Sequence, residues 1–218
     1  MTSLDFRDRL GRRADRAGIS LAPETVEALE LYFRLLSKWN AKINLTALPL
    51  DQPTEETFDR LLVEPLAAAR CITDRPGQWI DLGSGGGSPA IPLKIVKPSI
   101  GLTMIESKVR KAAFLREAIR TLGLTETTVA DMRFEEYASK AEAGSSADLV
   151  TVRAVRADKA LFGVASRLLM PGGRLLLFCP TTAAVSAPGF AHIETVALTD
   201  SPAYLAICER MFHVEQRH

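Results

Sequence analysis

From residue 76 onward, apolar runs of strand length alternate with segments of helical period, and this alternation constrains the chain more than any other feature. QWIDLG, IGLTMIE, TTVAD, ADLVTV and GRLLLFC are the predicted strands; residues 88–96, 108–122, 134–139 and 159–169 are the predicted helices between them. Strands this apolar have no face to offer water, so helices must cover both sides of a mostly parallel sheet. The fold class is α/β and Rossmann-like. HIETVALT and YLAICERM are joined only by DSPA, too short for a crossover helix, so they are predicted to form an antiparallel hairpin at one sheet edge.

Ahead of residue 76 the pattern is helical. A first helix over 4–17 is rich in arginine, and Pro23 opens a second in which Val26, Leu29, Phe33 and Leu36 recur at helical spacing. A third covers 54–72, with Pro65 expected to kink or break it. The division expected is a helical N-terminal region, 1–75, and a ligand-binding domain, 76–218, joined in one compact unit. The three cysteines are odd in number, far apart and set in apolar runs, which indicates neither a disulfide framework nor a zinc cluster and suits a reducing cytoplasm. No secretory h-region and no membrane-spanning run is evident, and no membrane role is expected. With a formal net charge of +1, the chain cannot hold nucleic acid by bulk positive potential, so any RNA would be gripped by local patches.

The first strand runs into WIDLGSGGGSPAIPL. Gly83, Gly85, Gly86 and Gly87 form a turn into a helix, with Ser88 read as N-cap and Pro89 as its first residue. Glycines here allow tight backbone angles and close approach of a ligand to backbone N–H groups, beyond the carboxyl ends of the strands. Glu106 ends the second strand about 20 residues further on, where a carboxylate accepts the hydroxyls of a ribose; the competing reading is a salt bridge to Lys108 or Arg110. Asp131 ends the third strand, either at an adenine edge or as a helix N-cap. These features imply a nucleoside-containing cofactor, and the reversed terminal hairpin favours S-adenosylmethionine over NAD.

KWNAKINLTAL (38–48), the glycine turn, MIESKVRKAAFLREA (104–118), RFEE (133–136) and DLVTVRAV (148–155) together resemble the bacterial 16S ribosomal RNA guanine-N7 methyltransferases, the glucose-inhibited division protein B family, in order and spacing. The resemblance implies that Gly83, Gly85, Gly87 and Ser88 hold the methionine and ribose side of S-adenosylmethionine, Glu106 the ribose, and Phe134 with Glu135 the adenine. It places Arg153 at the mouth between cofactor and substrate; the alternative is an interior ion pair to Asp81 or Asp148. It further implies 16S rRNA or the small ribosomal subunit as partner, and a monomer is expected. The chain departs from the family pattern at two places. Arg60, Leu61, Leu62, Val63, Glu64 and Pro65 stand where the family has Arg-His-x-x-Asp-Ser, and Cys179-Pro180 stands where it has Lys-Gly. Both fall on the substrate side.

No Asn/Asp-Pro-Pro-aromatic run of amine methyltransferases follows the fourth strand, and Cys179 reads as a small apolar residue rather than a nucleophile. Guanine N7 has a free lone pair and no proton to lose, so no general base and no metal is expected. Lys108 and Arg110, at the rim beside Glu106, are the candidate RNA contacts, with the arginines of the first helix as a second patch or a solvated face. Two other readings stand beside this one: an S-adenosylmethionine-binding protein whose RNA target is lost or altered, and a serine hydrolase using Ser88, Asp148 and His192, against which Pro89 occupies the position of an oxyanion-hole donor.

Overall fold

The computed structural model describes residues 1–73, 77–140, 146–182, 185–200 and 202–211. The boundary near residue 76 lies outside them. Helix α1 (Ser3–Arg16) starts at Thr2, whose hydroxyl accepts from Asp5 N at 3.2 Å, and α2 (Pro23–Asn40) starts at the proline. Their apolar faces meet through Phe6, Leu10, Leu29 and Phe33, with Phe6 and Phe33 ring centroids 5.4 Å apart. Leu102 and Met104 of the sheet belong to the same buried cluster, so the helical region and the sheet share one core.

The third predicted helix is a succession of helical windings: α3 (Glu55–Phe58), a π turn (Asp59–Val63), α4 (Glu64–Ala68) and a 3₁₀ turn (Ala69–Cys71). Pro65 neither breaks nor ends it. A proline has no N–H and its ring crowds the carbonyl four residues earlier, and the wide π turn just before it makes room. The segment is anchored to α1 by Arg13, which donates to Asp59 at 2.8 Å and to Glu55 at 3.0 Å.

Then come β1 (Gln78–Leu82), α5 (Ala90–Val96), β2 (Gly101–Ile105), α6 (Val109–Leu122), β3 (Thr127–Ala130), α7 (Phe134–Ser139), β4 (Ala147–Arg153), α8 (Lys159–Leu168), β5 (Leu169–Cys179), β6 (Phe190–Ala197) and β7 (Tyr204–Arg210). The seven strands lie in the order β3-β2-β1-β4-β5-β7-β6. The first five are parallel, and β7 runs antiparallel between β5 and β6, as the short DSPA link requires. After β1 the chain builds outward through β2 and β3, then returns to place β4 on the other flank of β1. The crossover directions therefore diverge between β1 and β4, which opens a crevice above their carboxyl ends. No helix among the described residues is long and apolar enough to cross a membrane.

Candidate active site

Register brings the three strand ends level: Leu82 pairs with Ile105 on one side and Val152 on the other. The residues that follow, Gly83–Gly86, Ser88, Glu106 and Arg153–Val155, line a cavity of about 530 Å³ together with Leu36, Leu45–Leu48, Arg60, Leu61 and Lys111. That volume is in the range of small-molecule sites. Gly83, Gly85 and Gly87 all have positive φ, of 72°, 53° and 85°, which a side chain would strain. Gly83 N and Ser84 N both donate to Ile105 O, at 2.9 and 3.0 Å, tying the turn to the end of β2.

The glycines serve different ends. A Cβ on Gly85 would come no nearer than 3.8 Å to any neighbour, so this glycine leaves open space in the cavity wall. A Cβ on Gly87 would lie 2.4 Å from Ile91 Cδ1 and 3.3 Å from Leu115, so Gly87 is required by packing and lies outside the cavity lining. Ser88 is not a helix cap. Helix α5 begins two residues later, with Pro89 as its N-cap position, and the Ser88 hydroxyl is within donating distance of Arg60 O and Leu61 O, at 3.3 and 3.0 Å.

Glu106 is 7% exposed and forms neither of the salt bridges considered for it. Its Oε2 accepts from Gly85 N at 2.9 Å and its Oε1 from Lys108 N at 2.8 Å. Each oxygen keeps a lone pair free, the number two vicinal hydroxyls would need. Arg153 is paired with neither Asp81 nor Asp148. Its Nη2 donates to Glu64, its Nη1 to Arg60 O and, at 3.2 Å, to Ser88 Oγ, and its guanidinium carbon lies 4.4 Å from the Phe178 ring centroid. Burial pushes its pKa down to about 10, so it stays charged at neutral pH, and burial raises the Glu64 carboxyl above its ordinary value even with Arg153 beside it. Asp81 is instead held beneath the glycine turn, accepting from Thr151 Oγ1 at 2.5 Å, while Thr151 accepts from Trp79 Nε1 at 2.8 Å. Burial raises Asp81 to about 6.

The helical region completes the site. Tyr32 donates to Gly86 O at 2.7 Å, and Asn40 Oδ1 accepts from Leu45 N and Thr46 N, at 2.8 and 3.0 Å, shaping the loop that forms one cavity wall. Trp39 packs edge-on against Phe114 of α6, 5.8 Å between centroids, as expected of a packing residue. Tyr32 gave no sequence signal, because its spacing on α2 is that of a core residue. Glu64 occupies the aspartate position of the family's Arg-His-x-x-Asp-Ser run, which is the signal that could have found it.

Several predicted residues lie elsewhere. Phe134 and Glu135, on the first turn of α7, do not line the cavity; Phe134 packs on the second core cluster and Glu135 pairs with Arg133 at 3.3 Å. Lys108 and Arg110 are exposed at the start of α6, outside the lining. Asp131 is not an N-cap, since Arg133 takes that position in α7; its carboxylate faces Arg116 at 3.7 Å. Cys179 is half-buried, its thiol donating to Thr181 O at 3.2 Å. The hydrolase reading fails on geometry: Asp148, at the amino end of β4, accepts from Gln78 N, and His192 is bonded to Thr195 on an edge strand, so neither meets Ser88.

Solved structures share this fold. A SAM-dependent methyltransferase from Aquifex aeolicus matches with a TM-score of 0.54 and 12% identity, covering 69% of this chain and 91% of that one. The putative methyltransferase yhhF from Escherichia coli matches with a TM-score of 0.53 and 14% identity, over 66% and 82%. At such identities the likeness defines the fold class, that of the Rossmann-like methyltransferases. Residues 25–184 match the GidB family model, rRNA small subunit methyltransferase G. The chain is 35% identical over 183 residues to Ribosomal RNA small subunit methyltransferase G of Geobacter sp. (strain M21), covering 84% of this chain and 82% of the relative. It is 38% identical over 162 residues to the protein of the same name from Stenotrophomonas maltophilia (strain K279a), over 73% and 71%. The chain belongs to the rRNA small subunit methyltransferase G family.

Proposed function

We propose that this protein transfers a methyl group from S-adenosylmethionine to N7 of a guanine in 16S rRNA of the small ribosomal subunit. The observation that carries the reading is the cavity at the β1/β4 crevice, bounded by Gly85 and Glu106 in a chain of this family. The residues present fit the cofactor. Glu106 retains two acceptor sites for a ribose, Gly85 leaves the wall open for close backbone approach, and Lys111 supplies a cation for a carboxylate. In this reading adenine points toward Phe134 and Glu135, which lie outside the cavity lining; in support, β3 ends beside Glu106, whose N donates to Ala130 O at 3.1 Å.

When bound, S-adenosylmethionine supplies an electrophilic methyl group. The protein then has to align acceptor and donor and keep water out, and the leucine-rich wall of Leu36, Leu45 and Leu48 favours a partly dry pocket in which a dispersing positive charge is stabilised. The titratable side chains lining the cavity are Arg60, Glu106, Lys111 and Arg153. Glu106 already accepts two backbone N–H bonds and is committed to the turn and the ribose, which suits an acceptor atom with no proton to lose. Arg153 orients the guanine or a nearby phosphate, and Lys108 and Arg110 meet the RNA backbone at the rim.

The test is transfer of tritiated methyl groups to purified small subunits and to naked 16S rRNA from a strain lacking the modification. Label at guanine N7 is expected, and label elsewhere overturns the proposal. Calorimetric titration with S-adenosylhomocysteine checks the cofactor side, where Glu106→Ala should bind at least tenfold more weakly.

A further inference from the structure

Arg153 is the last residue of β4, yet its ion-pair partner Glu64 and the carbonyl of Arg60 come from the helical region 89 or more residues earlier in the chain. Pro65 explains why that region has anything to offer. It has no N–H to give to Leu61 O, four residues back, and the N–H of Glu64, which an α-helix would give to Arg60 O, goes to Asp59 O in the π turn, so both carbonyls can accept from outside the helix. Arg153 Nη1 takes Arg60 O, and Ser88 Oγ lies within reach of both. Glu64, the residue before the proline, meets Nη2. Phe178, the register partner of Arg153 on β5, covers one face of the guanidinium.

The pair is deep, with side-chain exposures of 11% for Arg153 and 7% for Glu64. Buried ion pairs seldom add net stability over apolar packing, because desolvating both charges offsets their attraction. What such a seat does accomplish is to fix a side chain with large rotamer freedom before any substrate arrives. Nε and the second Nη2 proton are not used by these contacts, and Arg153 lines the cavity, so the fixed guanidinium keeps donors for an incoming group.

We propose that Glu64 is a positioning residue: with the two carbonyls released by the π turn and Pro65, it sets the orientation of Arg153 toward the acceptor side of the cavity. The inference rests on the methyltransferase reading for its activity readout. In Glu64→Gln, kcat for methyl transfer should fall tenfold or more. KM for the small subunit and affinity for S-adenosylhomocysteine should stay near those of the parent at a temperature where the variant remains fully folded, and Glu64→Asp, which restores the charge, should recover part of kcat. A second readout is independent of turnover. Modification of Arg153 by phenylglyoxal, followed by peptide mass spectrometry, should be slow in the parent protein and several-fold faster in Glu64→Gln. It should also be faster in Pro65→Ala, where a restored N–H competes for the carbonyls. Unchanged kcat with unchanged labelling overturns the proposal, as does a loss of kcat that only follows a loss of Tm. If the parent protein methylates no ribosomal particle, the function proposed above fails, and the labelling comparison still decides whether Glu64 seats Arg153.

Discussion

Gly85 and Gly87 are two residues apart, both with positive φ, and they should fail in opposite ways when replaced by alanine. In each case the left-handed backbone costs an L side chain about 1–2 kcal/mol. For Gly85→Ala nothing is added, because the new methyl meets only open cavity. At about 2–4 °C per kcal/mol for a chain of this size, Tm should drop by about 2–8 °C. The methyl then stands where a ligand must approach the backbone, and affinity for S-adenosylhomocysteine should fall about tenfold or more, about 1.4 kcal/mol. In Gly87→Ala the methyl would lie 2.4 Å from Ile91 Cδ1, so the buried Ile91 side chain has to shift within a packed core. Overpacking adds about 1–3 kcal/mol, for a total of about 2–5 kcal/mol, with ligand affinity per folded molecule little changed. Thermal unfolding and calorimetric titration of both variants test this directly. If Gly85→Ala binds as tightly as the parent, or Gly87→Ala loses binding while keeping its Tm, the division of the turn into a ligand wall and a packing point is wrong.

Tyr32→Phe removes the donor to Gly86 O and should cost about 1 kcal/mol in urea unfolding; no measurable change would show that the helical region does not brace the turn through this bond. Asp59→Ala leaves the 9%-exposed Arg13 side chain without its main partner and should cost about 3–5 kcal/mol, whereas Glu55→Ala, at a 67%-exposed partner, should stay within about 1 kcal/mol; equal losses would refute the ranking. Asp81 binds its proton more tightly in the folded protein, with its pKa raised from 3.8 to about 6. Its contribution is therefore fully present below pH 3.8 and declines as pH rises to about 6, by at most about 3 kcal/mol. Asp81→Asn should abolish that slope, and unfolding curves for parent and variant that stay parallel from pH 4 to pH 7 would contradict it.

The sheet was legible because parallel strands buried on both faces cannot hide their apolarity, and the hairpin because DSPA leaves no length for a crossover. Glu106 was legible from its place at the end of β2. Its backbone partners were not, since any carboxylate beside Lys108 and Arg110 reads as an ion pair until the turn brings Gly85 N to it. The same limit hid the partner of Arg153. Asp148 lies on the same strand, but at its amino end, a strand's length from the crevice. Asp81 lies on the neighbouring strand but is taken by Thr151. Glu64 is 89 residues away and becomes a neighbour only because the helical region folds over the carboxyl ends of the sheet.

Pro65 shows why such contacts resist local reading. By local rules a proline inside a helical pattern is a defect, and the expectation of a kink or break followed from the missing N–H and the crowded carbonyl. The chain keeps the helix and moves the defect: the turn before the proline widens to a π turn in which Glu64 N goes to Asp59 O, so Arg60 O loses the donor four residues on, and Pro65 has none to give Leu61 O. Carbonyls facing a half-buried site without donors would cost free energy, so something else has to bond them. Ser88 from the glycine turn and Arg153 from β4 do so, one on each side of the crevice. The residue that looked like an interruption of the helix is thus what allows the helical region to grip both halves of the site.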